Sequence, residues 1–149
     1  IFCLDALSGK QIWKVKAGSH FPQDRGPGPR GTPTLDGDKL YSLSADGTLL
    51  SLAAATGKQN WEMNILEKFK GQQIKWGLSE SPLVDGDAVV CTPGGPKGTM
   101  AALAKTTGEL VWQSAEITEG AQYSSIIPAT IGGSGSVRSS ACAFAMGDR

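Results

Sequence analysis

Two pairs of carboxylates are the first residues in this sequence whose types and spacing could support chemistry. Asp36 and Asp38 stand in "LDGDK", and Asp85 and Asp87 stand in "VDGDA". Neighbouring carboxylates can act as a general acid and a general base. Asp-Gly is also the strongest short signal for a tight β-hairpin, in which the Asp side chain supports the turn. Because both pairs share this setting, the sequence predicts turns here and no catalytic dyad.

The other reactive residue types also lack a catalytic or metal-binding pattern. His20 is the single histidine and lies in a Pro/Gly-rich segment, so we expect an exposed loop residue. The segment "TPGGPKGT" lacks the spacing and following helix of a phosphate loop, and it is interpreted as a lengthened hairpin. Cys3, Cys91 and Cys142 match no metal-site spacing. Cys3 and Cys91 are expected to be small apolar residues of strands. We therefore predict no catalytic residues and no metal site.

Composition narrows the classes of partner. The 149 residues carry 14 basic and 14 acidic side chains, so net charge gives no reason to expect a nucleic acid or an anionic membrane. No apolar run approaches the roughly 18 residues of a membrane-spanning helix. Ile1 already lies in a strand-like segment and no signal peptide is visible, so we expect the sequence to be a fragment whose true start lies upstream.

A repeat with two landmarks organises the chain. In "LDALSGKQIW", "LAAATGKQNW" and "LAKTTGELVW", a Ser/Thr-Gly pair precedes a tryptophan that lies four residues after the Gly. The intervals between successive tryptophans are 48 and 51 residues. The second landmark is a proline followed four residues later by a glycine, at Pro33, Pro82 and, more weakly, Pro128. Two landmarks that recur in one order indicate a repeat architecture.

The repeat unit is predicted to be β-structure. Asp-Gly turns separate runs of strand length such as "KLYSL" and "TLLSLA". The Ala-rich "LLSLAAATGK" would also suit a helix ended by Gly. Its partner copies share no 3.6-residue apolar stripe, so we predict a strand and a Thr-Gly turn over 50–57. Four short antiparallel strands per repeat are typical of a propeller blade. The expected fold is all-β, a partial β-propeller built of four-stranded antiparallel blades.

The recurring tryptophans have a structural role in this prediction. A blade is a single twisted sheet, so large flat side chains must pack it against the next blade. An indole also carries one N–H that a neighbouring backbone carbonyl can accept. We predict equivalent buried positions for the three tryptophans. The structural blade-docking residues are Gly9, Trp13, Gly57, Trp61, Gly108 and Trp112.

The Leu-Asp-Ala-x-Ser/Thr-Gly-Lys-x-x-Trp pattern resembles the tryptophan-docking motif of pyrroloquinoline-quinone-like (PQQ-like) β-propeller repeats. The stretch "GPGPRGTPTLDGDKLYSLSADGTLLSL" is similar to a bacterial, planctomycete-type branch of that family. The motif Asp is present as Asp5 but is replaced by Ala53 and Ala104. We expect PQQ-like repeats over 1–133, comprising the end of one blade, two full blades and the start of another. For 134–149 we expect an irregular or disordered tail without a recognisable strand.

Irregular segments at 24–31, 72–80 and 119–125 precede the proline strands, and we call them the lead-in segments. The innermost strand of a propeller blade starts at one mouth of the central channel, so these segments are expected to converge there, and loops on a rigid scaffold often carry function. A solvated loop in which Trp76 caps an apolar edge is the plainer alternative. The segments carry Arg25 and, as the candidate ligand or partner surface, Arg30, Lys75, Trp76, Glu80 and Tyr123.

The resemblance implies two functions of different class. The first is a non-catalytic binding or scaffold domain, similar to the propeller subunit of the outer-membrane protein assembly machine. It would bind a protein or a small polar ligand at the mouth, without a cofactor and without redox activity. The alternative is part of a PQQ-dependent quinoprotein alcohol or sugar dehydrogenase, which would use PQQ with calcium. No carboxylate base or calcium ligand set for that reaction is recognisable here. A propeller hydrolase or sugar-binding module has no positive residue support.

The resemblance also implies a setting for the protein. Such propellers are extracytoplasmic, in the periplasm or cell envelope, so we expect that location. Three periods do not close a ring of about four to eight blades. The missing blades of the same parent chain are therefore expected as structural partners. The isolated 149 residues should be marginally stable and prone to associate through exposed sheet edges and faces.

Overall fold

The computed structural model describes residues 1–24, 26, 28–129 and 140–142. These residues form twelve short strands and one helix of five residues. The strands are β1 Phe2–Leu4, β2 Gln11–Lys14, β3 Thr34–Asp36, β4 Lys39–Leu43, β5 Thr48–Ala53, β6 Gln59–Asn64, β7 Leu83–Asp85, β8 Ala88–Cys91, β9 Ala101–Ala104, β10 Leu110–Gln113, β11 Ile127–Ala129 and β12 Ser140–Cys142, and the helix α1 is Ile65–Phe69.

The strands form two complete antiparallel sheets and two hairpins. Blade A has the order β3-β4-β5-β6 and blade B the order β7-β8-β9-β10, while β1 pairs with β2 and β11 with β12. The first strands β3, β7 and β11 lie side by side. The described residues thus contain two four-stranded sheets, with one two-stranded hairpin before them and one after them. This arrangement confirms the predicted partial β-propeller of four-stranded antiparallel blades.

Local sequence determines the hairpins as predicted. The β3–β4 and β7–β8 turns place Gly37 and Gly86 at φ +56° and +57°, a left-handed conformation that favours glycine. The Ala-rich segment that would also suit a helix is a strand up to Ala53, followed by the Thr-Gly turn. Leu50 and Leu52 of this strand are buried, so tertiary packing prevails over the helix preference of the alanines.

The larger hydrophobic core lies between the two blades. Alternate residues of each strand point to opposite faces of the sheet. Val89 and Cys91 therefore face blade A, whereas Val90 lies on the other face with Met100 and Ile126. The core between the blades contains Tyr41, Leu43, Leu49 and Trp61 from blade A and Val89, Cys91, Ala101 and Leu103 from blade B.

Tryptophan docking between successive repeats occurs twice with the same geometry. Trp13 Nε1 donates to the Ala54 carbonyl over 3.0 Å, and Trp61 Nε1 donates to the Lys105 carbonyl over 3.1 Å. Each indole also packs on the glycine of the following Thr-Gly turn. A Cβ placed on Gly57 would lie 2.8 Å from Trp13 Cδ2, and one on Gly108 would lie 3.0 Å from Trp61 Cδ2. Glycine is required at these turns because the indole occupies the space of a side chain.

The third tryptophan differs from the prediction of three equivalent buried positions. Trp61 is 9% exposed, whereas Trp112 is 42% exposed. None of the glycines that the structure describes packs against the Trp112 ring. The expectation of a buried Trp112 is therefore wrong, and Trp13 is only partly buried, so the three positions are not equivalent. The residues that cover Trp61 and part of Trp13 come from the next repeat.

The helix α1 follows the Trp strand of blade A and was not predicted. The Asn64 side chain caps it by accepting from Leu66 N and Glu67 N, at 3.0 and 3.1 Å. Lys70 ends it at φ +56°. Asn with an acidic residue three positions later is a helix-start signal, and it was available in "NILE". No helix among the described residues is long and apolar enough to cross a membrane.

The third repeat departs in two ways from what the repeat landmarks in the sequence predict. Thr32 N donates to Ser81 Oγ, and Ser81 N donates to Ser125 Oγ, both over 2.9 Å, so Ser125 is the equivalent of Ser81. Pro128 then lies inside β11, two residues after the position that corresponds to Pro82. In the predicted irregular tail, Ser140–Cys142 form β12 because their backbone pairs with β11, so that prediction fails at these three residues. The rest of 134–149 lies outside the described residues.

Candidate ligand or partner surface at the lead-in segments

The lead-in segments of three successive repeats meet through direct hydrogen bonds. Arg30, which precedes β3, donates from Nε to the Trp76 carbonyl over 2.5 Å. Trp76, which precedes β7, donates its backbone N–H to Tyr123 Oη over 3.2 Å. The antiparallel strand order places these segments at the same end as the β4–β5 turn, where Leu78 N donates to the Ala45 carbonyl over 3.0 Å. The structure thus brings Arg30, Trp76 and Tyr123 together.

Arg30 has a structural role at this end. Besides the Trp76 carbonyl, its Nη1 donates to the Gly28 carbonyl over 3.1 Å and its Nη2 to the Gly26 carbonyl over 3.0 Å. A guanidinium has five N–H donors in a planar fork, and here that fork fixes two lead-in segments against each other. Arg30 therefore positions the Trp76 backbone. Arg25 lies outside the described residues.

An aromatic pair and an ammonium group form the outer part of the site. The rings of Trp76 and Tyr123 lie 5.3 Å apart between centroids and are tilted by 38°. Lys75 Nζ lies 5.4 Å from the Trp76 ring centroid, within the distance of a cation–π interaction. Tyr123 is 47% exposed. These side chains present a flat apolar surface beside a positive charge.

A cleft of about 350 Å³ adjoins this pair and is lined by Pro22, Gln23, Asp24, Lys75 and Trp76. Its volume is at the lower end of the roughly 300–1,000 Å³ of small-molecule sites. The lining combines one carboxylate, one ammonium group, an indole and a proline ring. We call Lys75, Trp76 and Tyr123, together with this cleft, the lead-in surface. Such a lining suits a short peptide segment or a modest polar ligand.

Residues 22–24 of the lining were not predicted as site residues. Asp24 stands at the boundary of the first lead-in segment, and Pro22 and Gln23 precede that boundary. The Pro-rich, irregular composition of this stretch was the only sequence signal for their position. Their proximity to Lys75 arises from packing between repeats and has no local sequence pattern.

Glu80 does not belong to the lead-in surface, contrary to the sequence prediction. Its side chain is buried, at 2% exposure, and Oε2 accepts from Thr92 N over 2.9 Å. Burial raises the pKa of Glu80 to about 8, against the lowering effect of the Thr92 hydrogen bond. Oε1 has no hydrogen-bond partner in the described part of the chain. Glu80 is thus an interior residue, and its inward orientation depends on Thr92 in the connection after β8.

Burial also controls the chemistry of the cysteine beside Glu80. Cys91 is fully buried, and its Sγ donates to the Ala101 carbonyl over 3.7 Å. Burial raises the pKa of the Cys91 thiol well above its ordinary value, and the nearby Glu80 raises it further. The expected role of Cys91 as a small core residue is consistent with this environment. Cys3 is only half-buried.

Lys105, which no sequence pattern indicates, connects two carboxylates of the hairpin turns. Lys105 Nζ donates to the Gly86 carbonyl over 2.9 Å and to Asp36 Oδ2 over 3.2 Å, and it lies 3.6 Å from Asp87 Oδ1. Asp36 hydrogen bonding is the main cause that raises the pKa of Lys105. The two Asp residues flank hairpin turns as predicted, and through Lys105 they also join blade A to blade B.

The described residues contain no group of three or more His, Cys, Asp or Glu side chains placed to hold a metal ion. Some of their polar side chains stabilise turns. Asp46, for example, accepts from Ser44 Oγ, from Ser19 N at 2.6 Å and from Thr48 N at 3.1 Å. Burial acts to raise the pKa of Asp46, but these hydrogen bonds lower it below its ordinary value.

Comparison with known proteins gives matches along most of the chain. A family model described as outer membrane protein assembly factor BamB matches residues 1–139. Quinohemoprotein alcohol dehydrogenase ADH IIB of Pseudomonas putida is 30% identical over 124 residues, which cover 76% of this chain and 17% of that protein. Outer membrane protein assembly factor BamB of Burkholderia pseudomallei (strain K96243) is 28% identical over 142 residues, covering 74% of this chain and 36% of that protein.

The fold also matches a solved structure. The crystal structure of BamB from Moraxella catarrhalis superposes with a TM-score of 0.53 at 22% identity, over 78% of this chain and 32% of that chain. At this identity the likeness shows the shared propeller fold. The chain spans about a sixth of the dehydrogenase and about a third of each BamB protein.

Proposed function

Because the chain belongs to the PQQ-like repeat family whose model is described as outer membrane protein assembly factor BamB, we propose that it is part of a non-catalytic binding or scaffold propeller. The observation that carries this proposal is the convergence of three lead-in segments on one surface. Arg30, Trp76 and Tyr123 come from three successive repeats and are joined by hydrogen bonds. A surface fixed in this way presents its side chains on a rigid scaffold, which reduces the ordering cost of binding.

The lining of the lead-in surface supports a partner of mixed character. Lys75 offers a cation, Asp24 a carboxylate, and Trp76 with Tyr123 a flat aromatic area. Aromatic side chains supply much of the binding energy of protein interfaces. The proposed occupant is therefore a protein segment or a small polar ligand. BamB is by its description an outer-membrane assembly factor, so we place the parent of this chain in the periplasm or cell envelope.

A quinoprotein dehydrogenase is the second candidate, and its support is the identity with quinohemoprotein alcohol dehydrogenase ADH IIB. That reaction needs a carboxylated quinone and a calcium ion held by several oxygen ligands at roughly 2.3–2.6 Å. The described residues do not fit a carboxylated quinone and a calcium ion. Glu80 is buried and hydrogen-bonded to Thr92, and the Arg30 guanidinium already donates to three backbone carbonyls. The scaffold function is therefore favoured for these repeats.

A site-specific crosslinking experiment tests the scaffold proposal in the parent protein. A photoreactive amino acid replaces Lys75 in cells, and adducts are identified after irradiation. We expect adducts with an envelope protein that disappear when Trp76→Ala is added. The matched control is the same photoreactive residue at Lys58, an exposed lysine at the opposite end of blade A. No adduct at 75, or equal adducts at 75 and 58, would count against the lead-in surface as the binding site.

A further inference from the structure

The cleft of the lead-in surface has walls from two connections between strands of the described repeats. Pro22, Gln23 and Asp24 belong to the connection between β2 and β3, and Lys75 and Trp76 belong to the connection between β6 and β7. Strands of this chain flank both connections on either side. The cleft therefore results from packing between successive repeats.

The two walls are held together by the residues beside them. Gly77, directly after Trp76, has φ +78°, and a Cβ placed on it would lie 3.2 Å from Phe21 Cδ1. Because Phe21 directly precedes Pro22, this contact joins one wall to the other. Arg30 Nε also donates to the Trp76 carbonyl over 2.5 Å. The cleft is thus preorganised, which lowers the ordering cost of binding.

Two opposite charges line this cleft without neutralising each other. Asp24 and Lys75 are both exposed. Neither side chain forms an ion pair with any residue that the structure describes. Lys75 Nζ instead lies over the Trp76 ring, 5.4 Å from its centroid. A ligand with only one kind of charge would meet one attractive and one repulsive group, so the cleft favours a ligand that carries both signs.

The indole of Trp76 adds an apolar contact to the two charges. It belongs both to the cleft lining and to the ring pair with Tyr123, whose centroids are 5.3 Å apart. A ligand that reaches both charges therefore also meets a flat aromatic area, which is typical of strong contacts in protein interfaces. An extended peptide, at roughly 3.3 Å per residue, presents successive side chains over a length of this order.

We propose that the cleft binds an extended peptide segment of another protein, with a basic side chain at Asp24, an acidic side chain at Lys75 and an apolar or aromatic side chain on Trp76. This inference rests on the proposed binding function and adds the chemistry of its partner. Exposed ion pairs are individually weak. Specificity therefore arises from the two charges together with the aromatic contact, and polyanions, polycations and uncharged apolar segments each lack part of this combination.

Short peptides test this proposal on the parent protein, with binding measured by fluorescence anisotropy. Each labelled hexapeptide carries one Lys, one Phe and one Glu in a Gly/Ser background, and the set covers every order of the three. The peptide ends are blocked by acetyl and amide groups so that only side chains carry charge. We expect at least one order to bind, and replacing its Glu or its Lys by Gln should weaken binding about threefold.

Charge reversal identifies which protein group meets which peptide group. Lys75→Glu should weaken binding of the tightest peptide about tenfold, and replacing the Glu of that peptide by Lys should restore it. Asp24→Lys should be compensated in the same way when the peptide Lys is replaced by Glu. The matched control is Lys68→Glu, at an exposed lysine of the same connection that does not line the cleft, and it should leave binding unchanged. Circular dichroism verifies that the variants are folded.

Several results would overturn the proposed peptide chemistry. These are no binding by any peptide of the set, equal losses from Lys75→Glu and Lys68→Glu, or charge reversals that the altered peptides do not restore. Free L-phenylalanine that binds as tightly as the peptides would assign the cleft to a small zwitterion instead. Adducts with an envelope protein at position 75 but no peptide binding would refute only the peptide chemistry, whereas the absence of both would also count against the proposed function.

Discussion

The buried carboxyl of Glu80 leads to a specific prediction on how stability varies with pH. The perturbation is Glu80→Gln, which keeps the size of the side chain and its ability to accept from Thr92 N but removes the titrating proton. The pKa of Glu80 is raised from an ordinary 4.5 to about 8 by burial. The folded chain therefore binds a proton between these pH values that the unfolded chain does not.

The sign and size of the effect follow from this difference in proton binding. The contribution of Glu80 to the free energy of unfolding is fully present below about pH 4.5, and it is lost as the pH rises toward 8. At about 1.36 kcal/mol per pKa unit, the shift corresponds to roughly 3–6 kcal/mol across this window. The free energy of unfolding of the Gln variant should lack this decline. The difference in that free energy between the Gln variant and the original chain should therefore grow steadily from pH 5 to pH 8, in favour of the variant.

Urea unfolding followed by circular dichroism at pH 5, 6, 7 and 8 measures this difference. Subtracting the two chains at each pH cancels the titration of all other groups. Glu62→Gln, an exposed substitution on β6, is the matched control and should leave the pH profile unchanged. If Glu80→Gln and the original chain lose stability in parallel over this range, Glu80 is ionised in the folded state and the argument from burial is refuted.

Two further substitutions test the packing between repeats and the hydrogen bonding of a turn. Gly108→Ala should lower the free energy of unfolding by about 1–3 kcal/mol more than Gly37→Ala does. Both glycines have positive φ, but only Gly108 lies against the Trp61 ring. Urea unfolding midpoints measure this difference, and equal losses of stability would contradict the docking geometry. Asp46→Asn should flatten the dependence of the free energy of unfolding on pH in the acid range. The lowered pKa of Asp46 means that its contribution to stability falls as the pH drops through that range. An unchanged dependence below pH 4 would contradict this role of Asp46.

The repeat architecture could be predicted from the sequence because its signals are local and recur. A Thr-Gly turn and the following Trp strand are encoded within ten residues, and each copy supports the others. The docking role of Trp13 and Trp61 was inferred from the repeated Ser/Thr-Gly and Trp landmarks together with the size and N–H donor of an indole. That each indole contacts the glycine of the next repeat needed the structure, since this contact joins residues 44 apart, as between Trp13 and Gly57.

The candidate site could be predicted only in part because the direction of a side chain depends on contacts with segments that are distant in the sequence. The convergence of Arg30, Trp76 and Tyr123 follows from the position of the lead-in segments in a propeller. No pattern in the sequence indicates that Glu80 turns inward to Thr92 N. It also could not show that the Arg30 donors are taken up by backbone carbonyls. These outcomes depend on which backbone groups the folded chain leaves open, within the same repeat for Glu80 and both within it and in the next repeat for Arg30.

Quinone and calcium binding by the parent protein tests the central claim most directly. The parent is incubated with PQQ and Ca²⁺, quinone uptake is measured by absorbance after gel filtration, and dye reduction is followed with alcohols and sugars. A quinoprotein dehydrogenase treated in parallel shows that the assay works. A non-catalytic propeller should retain no stoichiometric quinone and reduce no dye. Stoichiometric uptake with turnover that is lost in Trp76→Ala would contradict the scaffold function and establish a dehydrogenase.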